Sequence, residues 1–255
     1  MRLTFLGTGT SMGVPVVACG CEVCRSEDWH DKHLRTSALV ETDAGENILI
    51  DIGPDFREQM LRERVMHLEG ILITHAHRDH VGGLDDIRSY NYVQNRKMDL
   101  FCNHEARVAI ERDYHYIFTR HIFPGLPEAE IHELTGDTAF RLGSVEVMPV
   151  KAMHKDLPVL GYRIGKLGYV TDANHIDPKE LDKLSGVEVL VINALRKQKH
   201  FSHFCLPEAL EVIETVAPRR AFITHVSHEM GLYADVSKEL PSHVQIAYDG
   251  LKVEI

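Results

Sequence analysis

Short apolar runs, each closed by a polar or glycine-bearing stretch, recur along this chain. Leu3-Thr4-Phe5-Leu6 stops at Gly7-Thr8-Gly9-Thr10. Ala38-Leu39-Val40-Glu41-Thr42 and Asn47-Ile48-Leu49-Ile50-Asp51 flank Gly45, and Ile71-Leu72-Ile73 runs straight into polar residues. Apolar runs of this length between turn residues predict buried strands, with a hairpin around Gly45. From 54 to 64 the chain predicts a helix, with Phe56, Met60, Leu61 and Val65 spaced for one face. Residues 105–112 predict another helix. In the second half the pattern predicts strands over 139–142, 145–150, 160–164, 167–171, 189–193 and 221–224, and helices over 178–184 and 207–216. Two successions of strands and helices imply two similar halves. Their sheets would pack face to face with helices outside, an α+β arrangement that buries the strands on both sides. No repeat, low-complexity segment or linker divides the chain, so one domain over 1–255 is expected.

Length and charge narrow the function. The 255 residues can build a sizeable core. A net charge of −10 disfavours general nucleic-acid binding, so long nucleic acid is not an expected partner. No apolar run is long enough to cross a membrane, and the first residues read as a strand instead of a signal peptide. A cytoplasmic location follows as an expectation, and there the five cysteines would stay reduced. Three of them cluster as Cys19-Gly20-Cys21-Glu22-Val23-Cys24, which favours a metal site over disulfides. Cys102 and Cys205 are isolated and read as small buried thiols.

The strongest chemical signal follows the strand at 71–73. In Thr74-His75-Ala76-His77-Arg78-Asp79-His80, four metal-binding side chains crowd one strand end. His75 and His77 are two apart, so on extended backbone they project to the same side. Imidazole and carboxylate together suit a borderline divalent ion. His154, Asp172 and His225 also follow apolar strands, where a rigid scaffold meets a loop. Seven ligands suit two ions, because an open catalytic site takes about three protein ligands per ion plus water. Such a pair can hold a hydroxide whose parent water has its pKa lowered to about 7.

The ordered set His75-x-His77-x-Asp79-His80, His154, Asp172, His225 resembles the metallo-β-lactamase superfamily of dinuclear hydrolases over the whole chain. The resemblance implies an αβ/βα four-layer sandwich with the metals at one edge between the sheets. It implies that His75, His77 and His154 hold one ion, that Asp79, His80 and His225 hold the other, and that Asp172 bridges. Asp51 matches a position that supports the site from behind. The presence of both His80 and Asp172 resembles the phosphodiesterase and hydroxyacylglutathione hydrolase branches more than the true β-lactamases.

The cysteines separate those branches. A tetrahedral structural zinc needs a fourth ligand beyond three thiolates, and His228 in Thr224-His225-Val226-Ser227-His228 is the best candidate. This CxCxxC cluster with THxxH resembles the cyclic-phosphate phosphodiesterases of the carbon–phosphorus lyase pathway, the PhnP type; a pyrroloquinoline quinone biosynthesis protein shares the cysteines. By the same resemblance His203, with His200 as the neighbouring alternative, would act as general acid or oxyanion stabiliser. Expulsion of an alkoxide benefits from a proton donor near neutrality. Asp79 and His203 thus stand as the catalytic candidates.

The expected function is metal-dependent hydrolysis of small cyclic phosphates or nucleotide-like phosphodiesters. Two zinc or manganese ions, or iron, would sit in the active site, with one structural zinc, in a homodimer by default. The rivals are a tRNA 3′-processing nuclease, a thioester or lactone hydrolase, and a non-catalytic cofactor-pathway accessory protein. Gly7 to Gly13 lacks the Lys-Ser/Thr of a phosphate loop and reads as a tight turn bringing the Cys segment over the site. Arg35-Thr36-Ser37 offers donors for phosphate or simply begins a strand. Tyr114, Tyr116, Phe118 and Phe123 read as core packing.

Overall fold

The structure, a computed structural model, describes residues 1–119 and 125–255. Among the described residues, two seven-stranded sheets form the frame. The first contains β1 (Arg2–Gly7), β2 (Ser37–Glu41), β3 (Asn47–Ile50), β4 (Gly70–Leu72), β5 (Met98–Cys102) and β6 (Ala129–Glu133). The second contains β7 (Phe140–Leu142), β8 (Val145–His154), β9 (Leu157–Ile164), β10 (Leu167–Val170), β11 (Val189–Asn193), β12 (Arg220–Thr224) and β13 (Val244–Ile246). The last strand, β14 (Lys252–Glu254), returns to pair antiparallel with β1. Strands β3 to β6 run parallel, as do β10 to β13. Each sheet therefore presents several strand C-terminal ends at one edge.

Side-chain alternation explains the layers. Ile48 and Ile50 enter the core between the sheets with Leu3, Phe5, Val40 and Leu72. Leu49 points the other way, onto Phe56 and Met60 of the helix Phe56–Glu63. In the second sheet Tyr162, Tyr169, Val191 and Phe222 fill the shared core. Val170, Leu190, Ile192 and Ile223 pack outward against Ala209 and Ile213 of the helix Leu206–Val216. Both faces of each sheet are buried, which is why these strands read as unbroken apolar runs. The order helix, sheet, sheet, helix is the expected αβ/βα sandwich.

Several expectations need correction. The helix expected over 54–64 begins at Phe56, and Leu61 is 62 % exposed instead of lying on the buried face. The helix expected over 178–184 is a single turn, Pro178–Leu181, followed by a 3-10 turn. The strand expected to end at 150 runs to His154, which pairs with Leu157. His154 thus closes a strand directly. The strands β5, β6, β13 and β14 and the helix Ile87–Gln94 were not legible as periodic runs. Tyr114 is buried in the helix-side core as expected and Tyr116 and Phe118 are partly buried against it, whereas Phe123 lies outside the described residues. No helix among the described residues is long and apolar enough to cross a membrane.

Candidate metal centre

The strand ends converge on one edge of the sandwich. The ligand atoms of His75, His77 and His154 gather within 4.8 Å of one another, as do those of Asp79, His80, Asp172 and His225. A further set, His154, Asp172 and His203, links them. All seven expected ligands are brought together, and Asp172 stands between the groups. Its Oδ2 lies 3.1 Å from His80 Nε2 and 3.0 Å from His225 Nδ1, while Oδ1 lies 3.1 Å from His203 Nε2.

Supporting hydrogen bonds settle which ring nitrogen faces inward. Asp51, fully buried at the end of β3, accepts from Thr74 N at 2.8 Å, Thr74 Oγ1 at 2.8 Å and His80 Nδ1 at 2.7 Å. The Thr74 hydroxyl is thereby spent as a donor, so its oxygen accepts from His75 Nδ1 at 3.0 Å. His154 Nδ1 donates to the Ser202 carbonyl at 2.7 Å. Each of these rings turns its Nε2 toward the cluster, the usual arrangement behind a metal-bound histidine. The nitrogens His75 Nε2 and His80 Nε2 are buried and make no hydrogen bond. His80 Nε2 instead faces Asp79 Oδ2 at 3.2 Å and Asp172 Oδ2. Lone pairs buried against carboxylates call for a cation, and the donor set of histidine and aspartate fits borderline divalent ions.

The electrostatics agree. Burial drives His75 well below the usual imidazole range, and the His80 charge adds to it. Burial also opposes a charge on His80, but Asp172, Asp79 and Asp51 outweigh it and hold that ring well above its ordinary value. The Asp172 carboxyl is likewise penalised by burial yet held well below the carboxylate range by His225 and His80. Backbone strain concentrates here too. Asp51, Asp172 and His225 adopt left-handed φ values of 61°, 55° and 56°. Each such residue costs on the order of 1–3 kcal/mol, tolerated where packing over-determines it.

Arg35, Thr36 and Ser37 support the site from behind. Arg35 Nε lies 3.2 Å from Asp55, and Ser37 Oγ donates to the Asp51 carbonyl at 2.8 Å. The buried Thr36 hydroxyl donates to the Gly9 carbonyl at 2.7 Å and lies 3.1 Å from His225 Nδ1. Close approach explains one glycine: a Cβ on Gly53 would lie 2.2 Å from the Asp79 carbonyl oxygen. Sequence reasoning missed the supporting roles of Thr36, Thr74 and Ser202. No spacing marks them, because two act through a hydroxyl common in loops and the third through its backbone.

The Cys segment lies beside this centre. Gly9 bridges to Val226, and Thr10 N donates to the Val226 carbonyl, so the glycine-rich turn does bring the cysteines over the strand end. Cys19, Cys21 and Cys24 place their Sγ atoms 3.3, 3.3 and 3.5 Å from His228 Nδ1. None of the cysteines is in a disulfide. The Cys24 backbone N–H and His228 bring the Cys21 thiol down to about 6, whereas burial pushes Cys24 up to about 11. Three thiols converging on one imidazole nitrogen form a tetrahedral-type donor set suited to zinc.

A two-sheet sandwich with paired His/Asp groups at its strand ends defines a metallohydrolase-type scaffold. Residues 46–226 match the β-lactamase superfamily domain, and the chain belongs to that superfamily. It is similar over its full length to a crystal structure of a diphosphatase of the PhnP family, at 35 % identity, TM-score 0.92 and 97 % coverage of that chain. It is also 41 % identical over 256 residues to an octanoyltransferase of Porphyromonas gingivalis, of which it spans about half (52 %). The zinc-bound PqqB of Methylobacterium extorquens shares the fold, with TM-score 0.80 at 17 % identity over the whole of both chains.

Proposed function

We propose that this protein is a dinuclear phosphodiesterase acting on small phosphodiesters. The observation that carries the reading is the position of His203. Its Nε2 lies 3.1 Å from Asp172 Oδ1, on the carboxylate that gathers with Asp79, His80 and His225 and also with His154. Full-length similarity to a PhnP-family diphosphatase supports hydrolysis at phosphorus.

Two divalent ions, zinc or manganese, would be held by His75, His77 and His154 and by Asp79, His80 and His225, with Asp172 between, and would supply charge neutralisation and activation of water. The chain's own residues do the rest. Asp51 and Ser202 orient the rings through their other nitrogens. Asp79 and Asp172 fix negative charge where cations belong. His203 presents its Nε2 beside Asp172, where it would serve as the proton donor to an alkoxide leaving group. His200 lies behind it, with Nδ1 3.3 Å from His203 Nδ1, so His203 is the acid in this reading. The Cys19, Cys21, Cys24 and His228 group would take a structural zinc.

The octanoyltransferase relative favours one competing reading, hydrolysis of an acyl thioester. A metal-activated water would need no cysteine to cleave a thioester, so a substrate panel separates the two readings. Protein reconstituted with zinc or manganese is expected to hydrolyse bis(p-nitrophenyl) phosphate and a small cyclic phosphate. An octanoyl thioester and a lactone should remain intact. Turnover confined to the thioester or the lactone would overturn the assignment.

A further inference from the structure

The loop that carries His203 also carries a large aromatic side chain that the metal groups do not use. Phe201 is 70 % exposed. It is nevertheless tied to the centre on both sides. Its neighbour Ser202 accepts the His154 Nδ1 bond. Lys155, which follows His154, brings its ammonium to 5.9 Å from the Phe201 ring centroid. Asn174 joins the two segments: its Oδ1 accepts from Lys155 N at 2.8 Å and its Nδ2 donates to the Phe201 carbonyl at 3.1 Å. From the ligand group outward runs a series of rings, His154 to His203 at 4.5 Å, His203 to His200 at 5.2 Å and His200 to Phe201 at 4.4 Å. The carbonyl and the flanking residues of Phe201 are thus anchored, while its ring is left in water beside His200.

We infer that Phe201, backed by Lys155, is a stacking platform for a nucleobase of the substrate. The inference rests on the phosphodiesterase reading and names its substrate class as nucleotide-like. Aromatic side chains take bases face to face without demanding a particular sequence, and a cation near the ring adds to its hold. Two ring-to-ring steps separate Phe201 from His203, within the span of one nucleoside. Lys155 contacts Asp156 at 3.6 Å, with both side chains more than half exposed, so its ammonium stays available to the ring and to an incoming anion.

The test compares adenosine 2′,3′-cyclic phosphate with a methyl riboside 2′,3′-cyclic phosphate that lacks the base. Phe201→Ala is expected to raise KM for the adenosine compound about tenfold, with kcat and the base-free compound unchanged, and Phe201→Trp to restore it. Equal losses on both compounds, or no loss on either, would overturn the platform. Calorimetric titration of the same metal-loaded proteins with adenosine 5′-monophosphate and with ribose 5-phosphate needs no turnover. Wild type should bind the adenosine compound more tightly, and Phe201→Ala should erase the difference. A base preference without hydrolysis sinks the phosphodiesterase reading and keeps the platform; no preference in wild type sinks the platform.

Discussion

Asp51 and His80 form a fully buried pair, with Oδ2 2.7 Å from Nδ1 and neither side chain exposed to solvent. The pair sets the direction of His80. With its Nδ1 spent on Asp51, the ring can only offer Nε2 to the cluster containing Asp79 and Asp172. Asp51→Asn keeps the shape but removes the charge behind the ring. It is expected to weaken metal binding at the Asp79, His80 and His225 group by about 10–100-fold while the protein stays folded. Titration of metal-free protein with zinc, alongside circular dichroism, measures both.

Gly53→Ala probes how the metal-binding turn is seated. The added Cβ would lie 2.2 Å from the Asp79 carbonyl, which is backbone and cannot rotate away. The turn holding Asp79 and His80 must shift. The expected cost is about 1–3 kcal/mol of stability, as for other overpacked sites, together with lost metal affinity. Chemical denaturation and metal titration report the two effects separately.

His203 and His200 are separable by mutation. His203→Ala is expected to lower kcat by about 10²–10⁴ and to flatten the limb of the pH–rate profile that reports a proton donor. Metal content should not change, because His203 lies outside the groups expected to hold the ions. His200→Ala should cost roughly tenfold or less, since its ring touches Asp172 only through His203. A larger loss from His200→Ala would reverse the assignment.

Asp249 gives the protein a pH-dependent stability away from the metals. Burial raises its carboxyl to about 7, against the lesser pull of Leu34 N and Thr8 Oγ1, which donate to it at 2.8 and 2.7 Å. The folded state therefore binds this proton more tightly than the unfolded chain does. Its contribution is fully present below the unfolded carboxyl value and is lost as pH rises through about 7. A displacement of that size corresponds to about 4 kcal/mol at most. Asp249→Asn should be less sensitive to pH between 4 and 8 than wild type in thermal denaturation. A steeper decline in the variant would contradict this.

Much of this architecture was legible along the chain because apolar strands ending in His or Asp leave a local mark. Ile71-Leu72-Ile73 before His75 and Phe222-Ile223-Thr224 before His225 are of that kind. Strands such as β5 were not, because Met98-Asp99-Leu100-Phe101-Cys102 places a charged residue inside the run. Asp99 pairs locally with Arg96 at 2.7 Å and meets His132 of β6, also at 2.7 Å, only after the sheet forms. The supports of the site were hidden for a related reason. Thr36 meets His225 across 189 positions of chain, and Ser202 holds His154 through a carbonyl that every residue possesses. His203 came from family resemblance, and its place beside Asp172 came from the fold.

The count of bound metal ions tests the account most directly. Native mass spectrometry of the purified protein should find three ions per chain: two at the His/Asp groups and one at Cys19, Cys21, Cys24 and His228. Cys21→Ser should leave two, and the double variant His75→Ala with His80→Ala should leave one. A Cys21→Ser protein that keeps all three ions, or a wild type that holds a single ion unaffected by the histidine substitutions, would contradict it.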